Sequence, residues 1–234
     1  MNTENVDQAE INKFQALASR WWDTGSEFKT LHDINPIRVE YIEAQCGGLE
    51  GKQVLDIGCG GGILSEAMAA RGGFVTGIDM AEQSLEVARL HLLESGFQVD
   101  YQQTTAEAFA EDHPQQFDVV TCLEMLEHVP DPSSIIQAAA KMLKPDGCLV
   151  LSTLNRNPKS YLLAIVAAEY VMKMLPKGTH EYSKFLKPSE LARSARLAGL
   201  EVTDVTGMSY SPLTRQYSLG NDVDVNYLMS CRCS

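Results

Sequence analysis

None of the six cysteines (Cys46, Cys59, Cys122, Cys148, Cys231 and Cys233) forms a C-x-x-C pair. That excludes a zinc-ribbon or disulfide framework and points to a reducing compartment. Positive charge is scarce: 19 Lys and Arg against 31 Asp and Glu leave a net −12, which disfavours broad contact with nucleic-acid phosphates. No uninterrupted apolar run reaches the about 20 residues that a membrane-spanning helix needs. Internal repeats and low-complexity tracts are also missing. The first ten residues are polar and acidic, without the basic start and apolar middle of a secretory signal, so a cytoplasmic protein is expected.

What is present suffices for a packed enzyme-sized unit. The 234 residues, 44% hydrophobic, can bury a full core, and one domain over 1–234 with a helical extension over about 1–50 is expected. Ile11, Phe14, Leu17, Ala18, Trp21 and Trp22 recur at helical spacing within 8–23, and Asn35-Pro36 signals a second helix start. Strands near 53–57, 74–79, 99–103, 117–122 and 148–153 then alternate with helices near 63–71, 82–95 and 132–143. Such alternation implies parallel pairing through right-handed crossovers. After a helix at 188–198, two β-rich stretches near 200–207 and 223–230 follow without an intervening helix, which adds an antiparallel strand to the sheet.

The run Val54-Leu55-Asp56-Ile57-Gly58-Cys59-Gly60-Gly61-Gly62 is a strand emptying into glycines, and Phe74-Val75-Thr76-Gly77-Ile78 is a second strand ending in Asp79. Glycine permits a sharp turn and close approach of a ligand at Gly58 and Gly60, while an acid ending the next strand can accept both hydroxyls of a ribose. A glycine cluster alone is often an ordinary loop; strand, loop, helix, strand and terminal acid in order point to a nucleoside site. A dinucleotide fingerprint needs a small third residue, and bulky Ile63 stands there. The loop instead resembles the D-x-G-x-G-x-G segment of class I S-adenosylmethionine (SAM)-dependent methyltransferases. That resemblance implies an α/β, Rossmann-like sheet, mostly parallel with an antiparallel closing strand, and helices on both faces.

Beyond the fourth strand lies Leu123-Glu124-Met125-Leu126-Glu127-His128-Val129-Pro130-Asp131-Pro132, where open α/β sheets bind ligands. Three readings are open. His128 can serve as general base; Glu124, Glu127 and His128, at helical i, i+3 and i+4 spacing, can hold a divalent cation; or His128 shapes the pocket through hydrogen bonds. Magnesium's preference for oxygen weighs against His128 as a ligand.

Segments outside the glycine loop narrow the resemblance. Ala18-Ser19-Arg20-Trp21-Trp22-Asp23, His32-Asp33-Ile34-Asn35-Pro36-Ile37-Arg38, Ser152-Thr153-Leu154-Asn155-Arg156-Asn157, Pro176-Lys177-Gly178-Thr179-His180 and Val223-Asp224-Val225-Asn226-Tyr227 are similar to the ubiquinone-biosynthesis O-methyltransferases. The resemblance implies methylation of ring hydroxyls on polyprenylated phenol and catechol intermediates at two pathway steps. It implies SAM contacts at Arg38, Gly58, Asp79 and Leu123, and a magnesium site at Glu124, Glu127 and His128. Association with other enzymes of that pathway is a further implication. One departure is Thr104-Thr105-Ala106-Glu107, where many class I enzymes place an adenine-binding Asp; backbone groups or Glu107 would take that role.

Asn155, Arg156 and Asn157 either line the pocket or cap the next helix. Within about 154–187, the run Tyr161–Leu175 is apolar over a wide arc, and the segment carries six bases and two acids, a net +4 that leaves −16 on the rest. A basic, apolar insertion suits peripheral docking on anionic lipid; a buried lid or dimer contact is the plainer alternative. Competing functions are a nicotinamide-dependent reductase, disfavoured by Ile63 and the hairpin-like end, a methyltransferase of another small phenolic or lipid-like substrate, and a non-catalytic scaffold keeping the cofactor pocket.

Overall fold

The computed structural model describes residues 5–160, 182–211, 213, 214 and 216–233. Five strands come first: β1 (Gln53–Ile57), β2 (Phe74–Asp79), β3 (Val99–Gln103), β4 (Phe117–Leu123) and β5 (Leu143–Leu154). They pair in parallel, as the βα alternation requires. The chain then adds β6 (Leu200–Ser211), β7 (Gln216–Gly220) and β8 (Asn226–Cys233), all antiparallel to their neighbours. The order across the sheet is β3-β2-β1-β4-β5-β8-β6-β7. The helices are α1 (Gln8–Leu17), α2 (Lys29–Cys46), α3 (Ile63–Ala69), α4 (Glu82–Ser95), α5 (Ala106–Asp112), α6 (Pro132–Met142) and α7 (Pro188–Leu197).

Near-continuous apolar strands are what a sheet covered on both faces demands, because successive side chains point to opposite faces. Val54, Val119, Val150 and Leu228 enter one core with Ile42 of α2 and Met68 of α3. Their neighbours Leu55, Val120, Leu149 and Met229 enter the other core with Phe109 of α5, Ile136 of α6 and Leu191 of α7. Each such fully buried aliphatic side chain contributes about 1.5–3 kcal/mol. Local signals agree: Asp131 accepts from Ser133 N and Ser134 N to cap α6, whose first residue is Pro132.

Three elements depart from the sequence reading. The second helix begins at Lys29, so Pro36 sits inside it rather than at its start. The helix tolerates the missing N–H because burial of Ile34, Val39, Tyr41 and Ile42 holds the segment from both sides of Pro36. Helix α5 went unread, since seven residues are too few to show a period; Thr105 caps it and Phe109 anchors it. Strand β7 also went unread, being a short edge strand of alternating half-buried and exposed residues. The apolar stretch 161–175 and the Pro176–His180 segment lie outside the described residues. Among the described residues, no helix is long and apolar enough to cross a membrane.

Candidate active site at the strand tips

Parallel strands β1, β2, β4 and β5 all deliver their carboxyl ends to one edge. Antiparallel β8 starts at that same edge, with Asn226 opposite Leu154. Asp56 to Gly60, Asp79, Leu123 to Met125, Glu127, His128 and Asn226 therefore line one chamber of about 500 Å³. Helices α1 and α2 roof it with Phe14, Leu17, Leu31 and Ile34.

At the β1–β2 end the backbone defines the site. Gly60 (φ +52°) donates its N–H to Asp79 Oδ2 at 2.8 Å, and Ala81 N donates to Oδ1 at 2.8 Å. Burial pushes the Asp79 carboxyl above its ordinary range, and these N–H groups oppose that shift. The glycines do not face empty space alone. A Cβ on Gly58 would stand 2.6 Å from Met125, one on Gly60 2.7 Å from the Trp21 ring, and one on Gly61 would run into Trp21. Trp21 stacks on Phe28 at 4.0 Å and donates its Nε1–H to Ser84 Oγ at 3.2 Å. Trp22 donates to the Gly61 carbonyl at 2.9 Å. Ile63, the residue that breaks the dinucleotide fingerprint, is buried beside Trp21 and Phe28. Asp56 is structural: Ser65 Oγ and Thr121 Oγ1 donate to it at 2.6 and 2.7 Å, and burial pushes its carboxyl up to about 6.

At the β4–β5–β8 end side-chain charge defines the site. Arg38 is buried at 5% exposure and pairs through Nη2 with Glu124 Oε1 at 2.8 Å. The same Glu124 oxygen accepts from Ser152 Oγ at 2.7 Å and Asn226 Nδ2 at 3.1 Å. Glu124 sits at φ +53°, a left-handed turn that swings the chain off Leu123, the buried last residue of β4. Glu127, 3% exposed, accepts from Thr153 Oγ1 at 2.8 Å; burial and the nearby Glu124 charge push its carboxyl up to about 7. Among the described residues, Arg38 Nε, Glu127 Oε1 and Asn226 Oδ1 are buried without a hydrogen-bond partner.

Arg38, Gly58, Gly60, Asp79, Leu123, Glu124, Glu127 and His128 thus share one chamber. Glu124, Glu127 and His128 do not converge as ligands. The helical spacing that would align them is absent, because Glu124 is left-handed and only Leu126–His128 form a 3-10 turn. Their partners lie in different directions: Arg38 for Glu124, Thr153 for Glu127, and Glu10 for His128 Nδ1 at 2.9 Å. Among the described residues, no three His, Cys, Asp or Glu side chains are grouped to hold a metal. Glu107 lines the chamber; its Oε1 accepts from Asn5 Nδ2 (2.9 Å) and Ser134 Oγ (2.7 Å), while Oε2 is buried without a partner among the described residues. Asn157 caps the turn at Pro158–Ser160 by accepting from Ser160 N at 2.9 Å, and Arg156 pairs with Glu190, so neither lines the chamber.

A methyltransferase-domain profile matches residues 39–205. The ubiquinone biosynthesis O-methyltransferase of Pseudomonas entomophila is 66% identical over 225 residues, covering 96% of this chain and 97% of its own. That of Marinobacter nauticus is 64% identical over 234 residues, covering 99% and 98%. The chain belongs to the ubiquinone biosynthesis O-methyltransferase family. It is a SAM-dependent O-methyltransferase. Solved structures agree on the fold. A Thermotoga maritima SAM-dependent methyltransferase, described as a possible histamine N-methyltransferase, superposes with TM-score 0.67 at 18% identity over 96% of this chain and 99% of its own. The magnesium protoporphyrin IX methyltransferase of Synechocystis, solved with S-adenosylhomocysteine bound, gives 0.63 at 18% identity over 94% and 99%.

Within this family frame, the sequence reading missed several groups that build the site. Trp21 was read as an apolar helix position and as part of a family-like segment, with no place against the glycine loop. Met125, against Gly58, carried no signal beyond its place in the post-strand loop. Nothing local announced Glu10, which meets His128 across 118 positions of sequence.

Proposed function

We propose that this enzyme methylates ring hydroxyls of polyprenylated phenol and catechol intermediates, at two steps of ubiquinone formation. The observation carrying this reading is the two-ended chamber, with a ribose-type acid, Asp79, at one end and His128 at the other. Gly58 and Gly60 would hold SAM against the loop, Asp79 would take its ribose hydroxyls, Leu123 would pack by its methionine portion and Arg38 would pair with its carboxylate. The buried, unpartnered Arg38 Nε supports that last contact. The sulfonium methyl is already activated, so the protein's main task is to align phenol oxygen, methyl carbon and sulfur. A phenol with pKa of about 10 must also lose its proton; His128 would accept it as the carbon–oxygen bond forms and the carbon–sulfur bond breaks, with the sulfur leaving as the thioether of S-adenosylhomocysteine.

Magnesium would acidify a catechol hydroxyl, but this arrangement of Glu124, Glu127 and His128 does not fit it, and no step is assigned to the ion. Transfer of label from SAM to a short-tailed catechol, with and without magnesium, tests both points. Transfer persisting in excess chelator is expected; a strict magnesium requirement would overturn the metal-free reading, and no transfer at all would overturn the substrate class.

A polyprenyl tail requires a cytoplasmic enzyme to meet the bilayer, and the basic composition of 154–187 supports peripheral docking on anionic lipid. Reduced flotation with anionic vesicles after Lys173→Glu and Lys177→Glu is the expected result. Association with other enzymes of the pathway belongs to the same reading.

A further inference from the structure

His128 Nδ1 faces Glu10 Oε2 at 2.9 Å, and the ring meets Phe14 edge-on, with centroids 5.1 Å apart and planes at 90°. Glu10 and Phe14 are i and i+4 on α1, one above the other on the same helix face, so a single helix grips the imidazole from two sides. We propose that Glu10 is a positioning residue for methyl transfer, fixing the His128 ring so that Nε2 is the atom offered to the substrate hydroxyl. This inference rests on the reading of His128 as proton acceptor.

The surroundings fit such a role. A carboxylate accepts, so in the neutral imidazole Nδ1 carries the proton and Nε2 the lone pair. His128 lines the chamber, and no partner of Nε2 is found among the described residues. Glu10 is kept ionised, chiefly by its hydrogen bond with His128, while Lys13 Nζ (3.6 Å) and Lys184 Nζ (3.9 Å) add positive charge. On its own loop, His128 is fixed only through its backbone, whose N–H donates to Met125 O at 2.9 Å. Glu10 rides on the helix that roofs the chamber, so the element that covers the substrates also orients the acceptor.

The test is a double-mutant cycle read by steady-state kinetics on a short-tailed catechol, with S-adenosylhomocysteine affinity by calorimetry and thermal melting as controls. Glu10→Ala is expected to lower kcat about tenfold or more with KM for both substrates little changed, and Glu10→Gln, which still accepts from Nδ1–H, to restore much of it. His128→Ala is expected to lower kcat about 100-fold, and adding Glu10→Ala to it should cost nothing more. Normal turnover in His128→Ala would remove the acceptor reading itself. A defective His128→Ala beside a normal Glu10→Ala would overturn the Glu10 inference alone. So would a Glu10→Ala loss that persists at full size in the His128→Ala background, or one that Glu10→Gln fails to relieve, since either assigns Glu10 a structural role.

Discussion

At the β1–β2 end of the chamber the site is made of backbone: turned glycines, N–H groups on Asp79, and an indole filling the space that side chains would have taken. At the β4–β5–β8 end it is made of charge: a buried Arg38–Glu124 pair, a Glu127 carboxyl held near neutrality and an imidazole reaching to another helix. The first end leaves little room for variation, as suits a cofactor that never changes. At the second, Arg38 Nε, Glu127 Oε1 and Asn226 Oδ1 are buried without partners among the described residues, which costs folding free energy and is tolerated where a reactant completes them.

Breaking the charged end should cost folding most. Arg38→Ala leaves Glu124 without the counter-charge of its ion pair and is expected to lower unfolding free energy by about 3 kcal/mol in denaturant titration. Pairing it with Glu124→Gln should recover a large part, and no recovery would mean the two ends are less distinct than their geometry suggests. At the backbone end, Asp79→Ala removes two charge-assisted acceptors, for an expected affinity loss for S-adenosylhomocysteine of about 100-fold, or about 3 kcal/mol, by calorimetry. Gly61→Ala drives a methyl into Trp21, so the indole must move; an affinity loss of about tenfold is expected.

The smallest effect sharpens the contrast through pH. The Glu127 carboxyl is raised from 4.5 to about 7, so the native state holds its proton longer than the unfolded chain. Its stabilising contribution is full below the unfolded value and lost as pH climbs through the native one. Glu127→Gln cannot lose a proton, so its melting temperature should gain on the wild type by a few degrees between about pH 5 and about pH 8. A gap that stays constant would show that Glu127 does not titrate in this window.

The cofactor half of the fold was legible because its signals are local. Apolar runs bounded by glycine and acid placed β1 and β2, and the strand–helix alternation placed β3, at the residues where they are found. Helix α5 and strand β7 were hidden by shortness, and the span of α2 by a proline that tertiary burial overrides. The acidic end was legible only as a list of residue types. Periodicity placed Glu124, Glu127 and His128 on one helical face, but a left-handed residue at 124 dissolves that face. Resemblance named Arg38 for the site, and Arg38 lines the chamber, yet its pairing with Glu124 depends on α2 crossing the tip of β4, which no local pattern encodes.

Both tryptophans of the chain, Trp21 and Trp22, stand over Gly60 and Gly61. The protein's ultraviolet emission therefore arises almost wholly from indoles that touch the glycine loop. Any ligand that shifts that loop should write its arrival into the wavelength and brightness of the glow, without a dye or a label.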